Sequence, residues 1–179
     1  EPSPEPHSQV VKLKSGASFV REIDIEHDDS AMTLYFQGED KSIESRARTS
    51  LLVQMLSTPF YADMRTERQL GYIVFVTTAV MLEVPGISFV VQSPVADPQQ
   101  LATHTEAFLE AQLDVLRDMS AEQFEVYRNG LLTRILDEDK TLVEVSARYW
   151  TEIDRHHYRF DTRNRLAEAV SLIDQGELA

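Results

Sequence analysis

Three capping boxes commit the second half of this chain to helix. Asp97, Ser120 and Thr141 are followed three positions later by Gln100, Gln123 and Glu144. In such a pair the first side chain accepts from the backbone N–H three residues on, and the second reaches back to the N–H of the first. Pro98 has a fixed φ that suits a first helical turn. The pattern predicts a helix from 97 to about 119. A second starts at 120, with Phe124, Tyr127, Leu131 and Ile135 facing the core. A third starts at 141, with Leu142, Val145, Tyr149 and Ile153 on one stripe. Residues 158–163 read as a loop and 164–171 as one more short helix.

The first half carries a different period. Phe19, Ile23 and Ile25 alternate with Glu22, Asp24 and Glu26, and Met32, Leu34 and Phe36 alternate with Thr33, Tyr35 and Gln37. Each stretch reads as a half-buried strand, and the turn at 27–30 makes them an antiparallel pair. Residues 10–13 form a further short strand candidate, set off by the turn Ser15-Gly16. Ile43, Ala47, Leu51, Leu52, Met55 and Leu56 then fall at helical spacing behind Ser42, a suitable N-cap, to about residue 57. Pro59 either kinks that helix or starts a second short one carrying Phe60, Met64 and Arg65. Residues 72–79 are a nearly continuous apolar strand, 84–86 a turn and 87–92 another strand. Strands with antiparallel connections followed by helices imply an α+β fold, a mostly antiparallel sheet with helices packed on one face.

Composition narrows the partners. Apolar residues are 42% of the 179, enough for a core. Seventeen basic residues against 30 acidic ones give a net charge of -13. Such a surface repels phosphate backbones and anionic bilayers, so neither nucleic acid nor a membrane is expected as partner. No apolar run approaches the roughly 20 residues of a spanning helix. The absence of cysteine removes disulfides, thiolate metal sites and a cysteine nucleophile. Three prolines in the first six residues read as a linker over 1–9. Residues 10–179 then read as a single domain, expected to be cut short at its C-terminus and to come from a larger protein.

Most catalytic constellations lack support. His7, His27, His104, His156 and His157 form no helical pair with a glutamate at zinc-site spacing. The doublet His156-His157 sits at a helix end, where a cation suits the dipole. Glu106, Glu110, Asp114 and Asp118 recur every four residues, as on a solvated helix face. No Gly-x-Ser-x-Gly elbow supports a serine triad. Trp150 reads as core or interface.

What remains is the stretch 65–72, Arg-Thr-Glu-Arg-Gln-Leu-Gly-Tyr, between the first helix and the apolar strand. Gly71 permits the backbone angles needed to leave a helix and enter a strand. Arg65 and Tyr72 flank that bend. One reading is a helix C-cap with a solvated arginine and a half-buried tyrosine. The other is a recognition site, in which a guanidinium fork and a phenol steady a peptide backbone or polarise a scissile carbonyl.

The segment 64–74 resembles the arginine-threonine…glutamine-leucine-glycine-tyrosine signature in the C-terminal half of the insulysin/pitrilysin zinc metallopeptidases. The likeness continues through Phe89-Val90-Val91-Gln92-Ser93, Tyr149-Trp150-Thr151-Glu152-Ile153 and Tyr158-Arg159-Phe160-Asp161, and covers roughly 18–175. Met64 stands where the family usually has leucine, and the 79–86 loop is more apolar than in many relatives. The resemblance implies one of four homologous α+β domains lining a clam-like chamber. This one would be the last, catalytically inactive and without zinc. The metal would sit in the N-terminal domain of a parent endopeptidase that degrades peptides. Arg65 and Tyr72 would be its substrate-binding residues, and the parent's N-terminal catalytic domains its partners. Bacterial relatives suggest the periplasm. The rival expectation is a purely structural or protein-interaction module with no substrate contact.

Overall fold

A computed structural model describes residues 9–155 and 158–178. Most of the linker and the doublet His156-His157 lie outside these described residues. The fold is α+β, as the order of periods implies. The described elements are β1 (Ser30–Gln37), α1 (Ile43–Tyr61) running into a π-helical turn (Ala62–Glu67), β2 (Ile73–Thr78), β3 (Gly86–Ser93), α2 (Pro98–Asp118), α3 (Ala121–Leu136), α4 (Leu142–Asp154) and α5 (Thr162–Ser171). The sheet is antiparallel in the order β1-β3-β2.

All three capping boxes form with both of their hydrogen bonds. α1 is buried on two sides, which explains the apolar run Leu51-Leu52-Val53 and Met55-Leu56 at its middle. Val53, Leu56, Phe60 and Met64 pack with Val74, Val76, Phe89 and Val91 of the sheet and with Leu101 and Phe108 of α2. Ala47, Leu51 and Met55 pack instead against Phe124 and Leu131 of α3 and Leu166 and Val170 of α5. At the centre, Phe60 meets Phe89 and Phe108 edge to face, with ring centroids 5.1 and 5.2 Å apart.

Several expectations need correction. Residues 10–13 and 19–26 are not strands, so the expected pair with β1 does not form and β1 pairs with β3 alone. Phe19, Ile23 and Ile25 are exposed. Alternation prepares a strand, but only a neighbouring edge completes its hydrogen bonds. The Gln37 side chain holds the earlier segment, accepting from Leu13 N at 2.8 Å and donating to Val11 O at 3.0 Å. Pro59 lies inside α1, which carries Phe60 and ends at Tyr61, and the π-helical turn that follows at once carries Met64 and Arg65. The turn before β3 centres on Leu82 and Glu83, both with positive φ, rather than on 84–86. α4 forms as expected, yet Leu142 at 82%, Tyr149 at 42% and Ile153 at 36% are exposed along its stripe, as is the adjacent Trp150 at 66%, so the stripe faces no core of this domain.

Candidate functional site

The start of β1, the start of β2 and the end of β3 lie at one end of the antiparallel sheet, because Ser30 pairs with Ser93 and Ile73 with Gln92. Side chains from three distant parts of the sequence meet there. The Gln92 amide nitrogen donates to Asp29 Oδ2 at 2.9 Å and to the Tyr72 hydroxyl oxygen at 2.9 Å. Tyr72 in turn lies 3.4 Å from the same Asp29 oxygen. Tyr72 is 56% exposed.

This arrangement fixes the polarity of the phenol. Gln92 Nε2 carries two hydrogens, and both are engaged. Its neighbours, a carboxylate and a hydroxyl oxygen, both accept, so the amide turns its nitrogen toward them. Tyr72 therefore accepts from Gln92 and keeps its own hydrogen to donate. Inside the domain the acceptor for that hydrogen is Asp29, at a long 3.4 Å.

Arg65 stands behind Tyr72. Its guanidinium donates to the Tyr72 main-chain carbonyl and lies 5.5 Å from the centroid of the Tyr61 ring, a cation–π contact. It is half-buried, and further N–H groups of its fork remain. The loop between the two residues is tied down. Leu70 N donates to Met64 O at 2.9 Å, and Arg68 Nε to Asp63 Oδ2 at 2.8 Å. That bond, with the Asp63 charge, raises the Arg68 pKa further. Arg68 also reaches His104 Nδ1 on α2 at 3.2 Å.

The structure thus joins Arg65 to Tyr72 through the Tyr72 backbone rather than leaving two independent side chains. Gly71 has a different role from the one its bend suggests. Its φ is not positive; Gln69, at φ 54, takes the left-handed position. A β-carbon on Gly71 would overlap the Gln92 carbonyl oxygen and lie 2.9 Å from its carbon. Glycine is needed so that the chain can press against β3, which brings Tyr72 within reach of Gln92.

Asp29 and Gln92 were missed by reasoning from spacing. Gln92 had a faint signal, as a polar residue at the end of an otherwise apolar strand. Asp29 had none, being one acidic residue in a polar turn. Elsewhere, Glu106, Glu110, Asp114 and Asp118 are exposed on α2. Among the described residues no three His, Asp or Glu side chains converge as a metal site. Among the described residues no helix is long and apolar enough to cross a membrane.

Residues 51–150 match the family described as PQQ synthase PqqF-like, C-terminal lobe domain 4. Human insulin-degrading enzyme is 33% identical over 138 residues, covering 77% of this chain and 13% of that protein. Protease 3 of Escherichia coli K12 is 32% identical over 153 residues, covering 84% of this chain and 16% of that protein. The crystal structure of pitrilysin superposes with a TM-score of 0.78 at 29% identity, covering 86% of this chain and 16% of that one. The chain spans about a sixth or less of the length of these relatives.

Proposed function

Because this chain belongs to the PqqF-like C-terminal lobe domains, among the C-terminal regions of insulysin- and pitrilysin-type zinc peptidases, we propose that it is the zinc-free last domain of a peptide-degrading endopeptidase. It walls the chamber opposite the catalytic domains and contacts substrate through Tyr72 and Arg65. The described residues do not suit zinc, since no ligand set converges among them, and the metal belongs to the N-terminal domain of the parent.

The observation that carries this reading is the polarity of Tyr72. An exposed phenol, oriented by Gln92 and Asp29, holds a hydrogen whose internal acceptor is distant. A peptide carbonyl arriving at that face offers a better one. The Arg65 fork, braced on the Tyr72 backbone carbonyl, adds positive charge at the base of the same residue. Donors fixed before the substrate arrives stabilise developing negative charge without reorganising.

The test is the full-length parent enzyme carrying Tyr72→Phe or Arg65→Ala, assayed on a quenched peptide. Each variant is expected to lose about tenfold to a hundredfold in kcat, with a smaller change in KM. Undiminished turnover in both would defeat the substrate contact. One observation favours the purely structural alternative: the uncovered stripe of α4 around Leu142 and Trp150 is a packing surface. In that case Trp150→Ser would lower the parent's melting temperature while Tyr72→Phe left kcat unchanged.

A further inference from the structure

We propose that the cleft between the N-terminal ends of α1 and α5 binds a phosphoryl dianion, either free phosphate or a phosphomonoester. The cavity is about 460 Å³ and is lined by Lys41, Arg46, Arg155, Arg159 and Arg165. The chain as a whole carries a net charge of -13, so five cations around one cavity depart sharply from its general surface.

The local charges do not cancel among the described residues. Lys41 faces Glu83 at 3.9 Å. The four arginines are opposed by Glu44 on the wall and by Glu152, whose charge is felt at Arg46. Four arginines against these two carboxylates, with Asp161 at the start of α5 as a third nearby, still leave a positive surplus that suits an anion. Burial pulls the Arg46 pKa below its ordinary value, and the like charge of Arg155 adds to that effect against the pull of Glu152. An anion between these two guanidinium groups would relieve their repulsion.

Geometry supports the same ligand. Guanidinium forks match the oxygens of a phosphoryl group in pairs. Ser42 and Ile43 at the start of α1 and Thr162 at the start of α5 also line the cleft. The Asp161 side chain makes no capping bond to α5, so it leaves the first N–H groups of that helix unclaimed by a side-chain cap. The start of α5 therefore adds to the arginines, while the start of α1 is already capped by Ser42 and the end of α4, at Arg155, opposes it. The cavity is larger than phosphate alone, which leaves room for the organic part of a monoester.

The 179-residue chain can be titrated by calorimetry with inorganic phosphate at pH 7.5 and constant ionic strength, against chloride. A second arm uses phenyl phosphate. Saturable one-site binding is expected with phosphate and not with chloride. The double variant Arg155→Gln/Arg165→Gln should bind about tenfold or more weakly. Arg117→Gln, a distant cation on α2, should bind like the parent chain, and circular dichroism establishes that each variant is folded. Tighter binding of phenyl phosphate identifies a monoester as the ligand, and the reverse order identifies free phosphate. Equal heats in phosphate and chloride, or undiminished binding by the folded double variant, would overturn the proposal. None of these outcomes depends on peptidase activity.

Discussion

Gly71→Ala is the substitution that most directly tests how this site is assembled. Alanine meets no torsional penalty here, because Gly71 is not in the left-handed region. The cost is steric. The new methyl would overlap a backbone carbonyl of β3, with 2.9 Å to the Gln92 carbon. A carbonyl within a strand cannot swing aside like a side-chain tip. The start of β2 must instead shift by on the order of an ångström, toward ordinary carbon–carbon separations. Overpacking of this kind costs about 1–3 kcal/mol. Loosening the Ile73–Gln92 end of the ladder takes the value toward the upper end. Urea unfolding followed by circular dichroism measures it. Gly130→Ala is the internal control, since its β-carbon would meet only Gln54 Nε2 at 3.6 Å in mid-helix. It should stabilise by about 0.5–1 kcal/mol. If Gly71→Ala proves as stable as the parent, close backbone approach is not why glycine stands there, and the account of Tyr72 placement fails with it.

Phe60→Ala, at the fully buried centre of three aromatic rings, should cost about 3–5 kcal/mol in the same assay; a loss below about 1 kcal/mol would mean the core repacks. Gln92→Glu keeps the shape of the side chain but exchanges a donor for an acceptor beside Tyr72. The tyrosine hydrogen should turn inward, and kcat of the parent enzyme should fall about as far as in Tyr72→Phe, with little further loss when the two are combined. An active Gln92→Glu alongside an impaired Tyr72→Phe would refute the polarity argument alone. Asp139 bridges Arg148 at 2.8 Å and Arg163 at 2.5 Å, fastening α4 to α5. The hydrogen bond from Arg148, then that from Arg163, holds its carboxyl below the usual range. A depressed carboxylate contributes stability above its unfolded pKa of about 3.9 and loses it as pH falls through the folded value. Asp139→Asn should therefore melt lower than the parent at pH 7, with the gap closing below about pH 4. A gap that does not narrow at all as pH falls from 5 to 2 would count against this bridge.

The helices were legible because their signals are local. Each capping box closes within three residues, so Asp97, Ser120 and Thr141 announce their helices whatever lies elsewhere. The core faces of α1 and α3 follow from periodicity in the same way, and the 65–72 signature named the neighbourhood of the site. Long-range pairing was not legible. The 19–26 segment alternates as cleanly as β1, yet one is a strand and the other is not, because only β1 has β3 beside it. The apolar stripe of α4 shows that a surface wants cover, not which body supplies it. Asp29, Tyr72 and Gln92 are 43 and 20 positions apart in turn, and only the β1-β3-β2 order brings them to one sheet end. By itself the sequence determined where helices begin and which faces are apolar, since those depend on neighbours along the chain. Tertiary structure alone decided which strands pair, why residue 71 must be glycine and which way the Tyr72 hydrogen points, since each depends on a backbone or side chain arriving from far away.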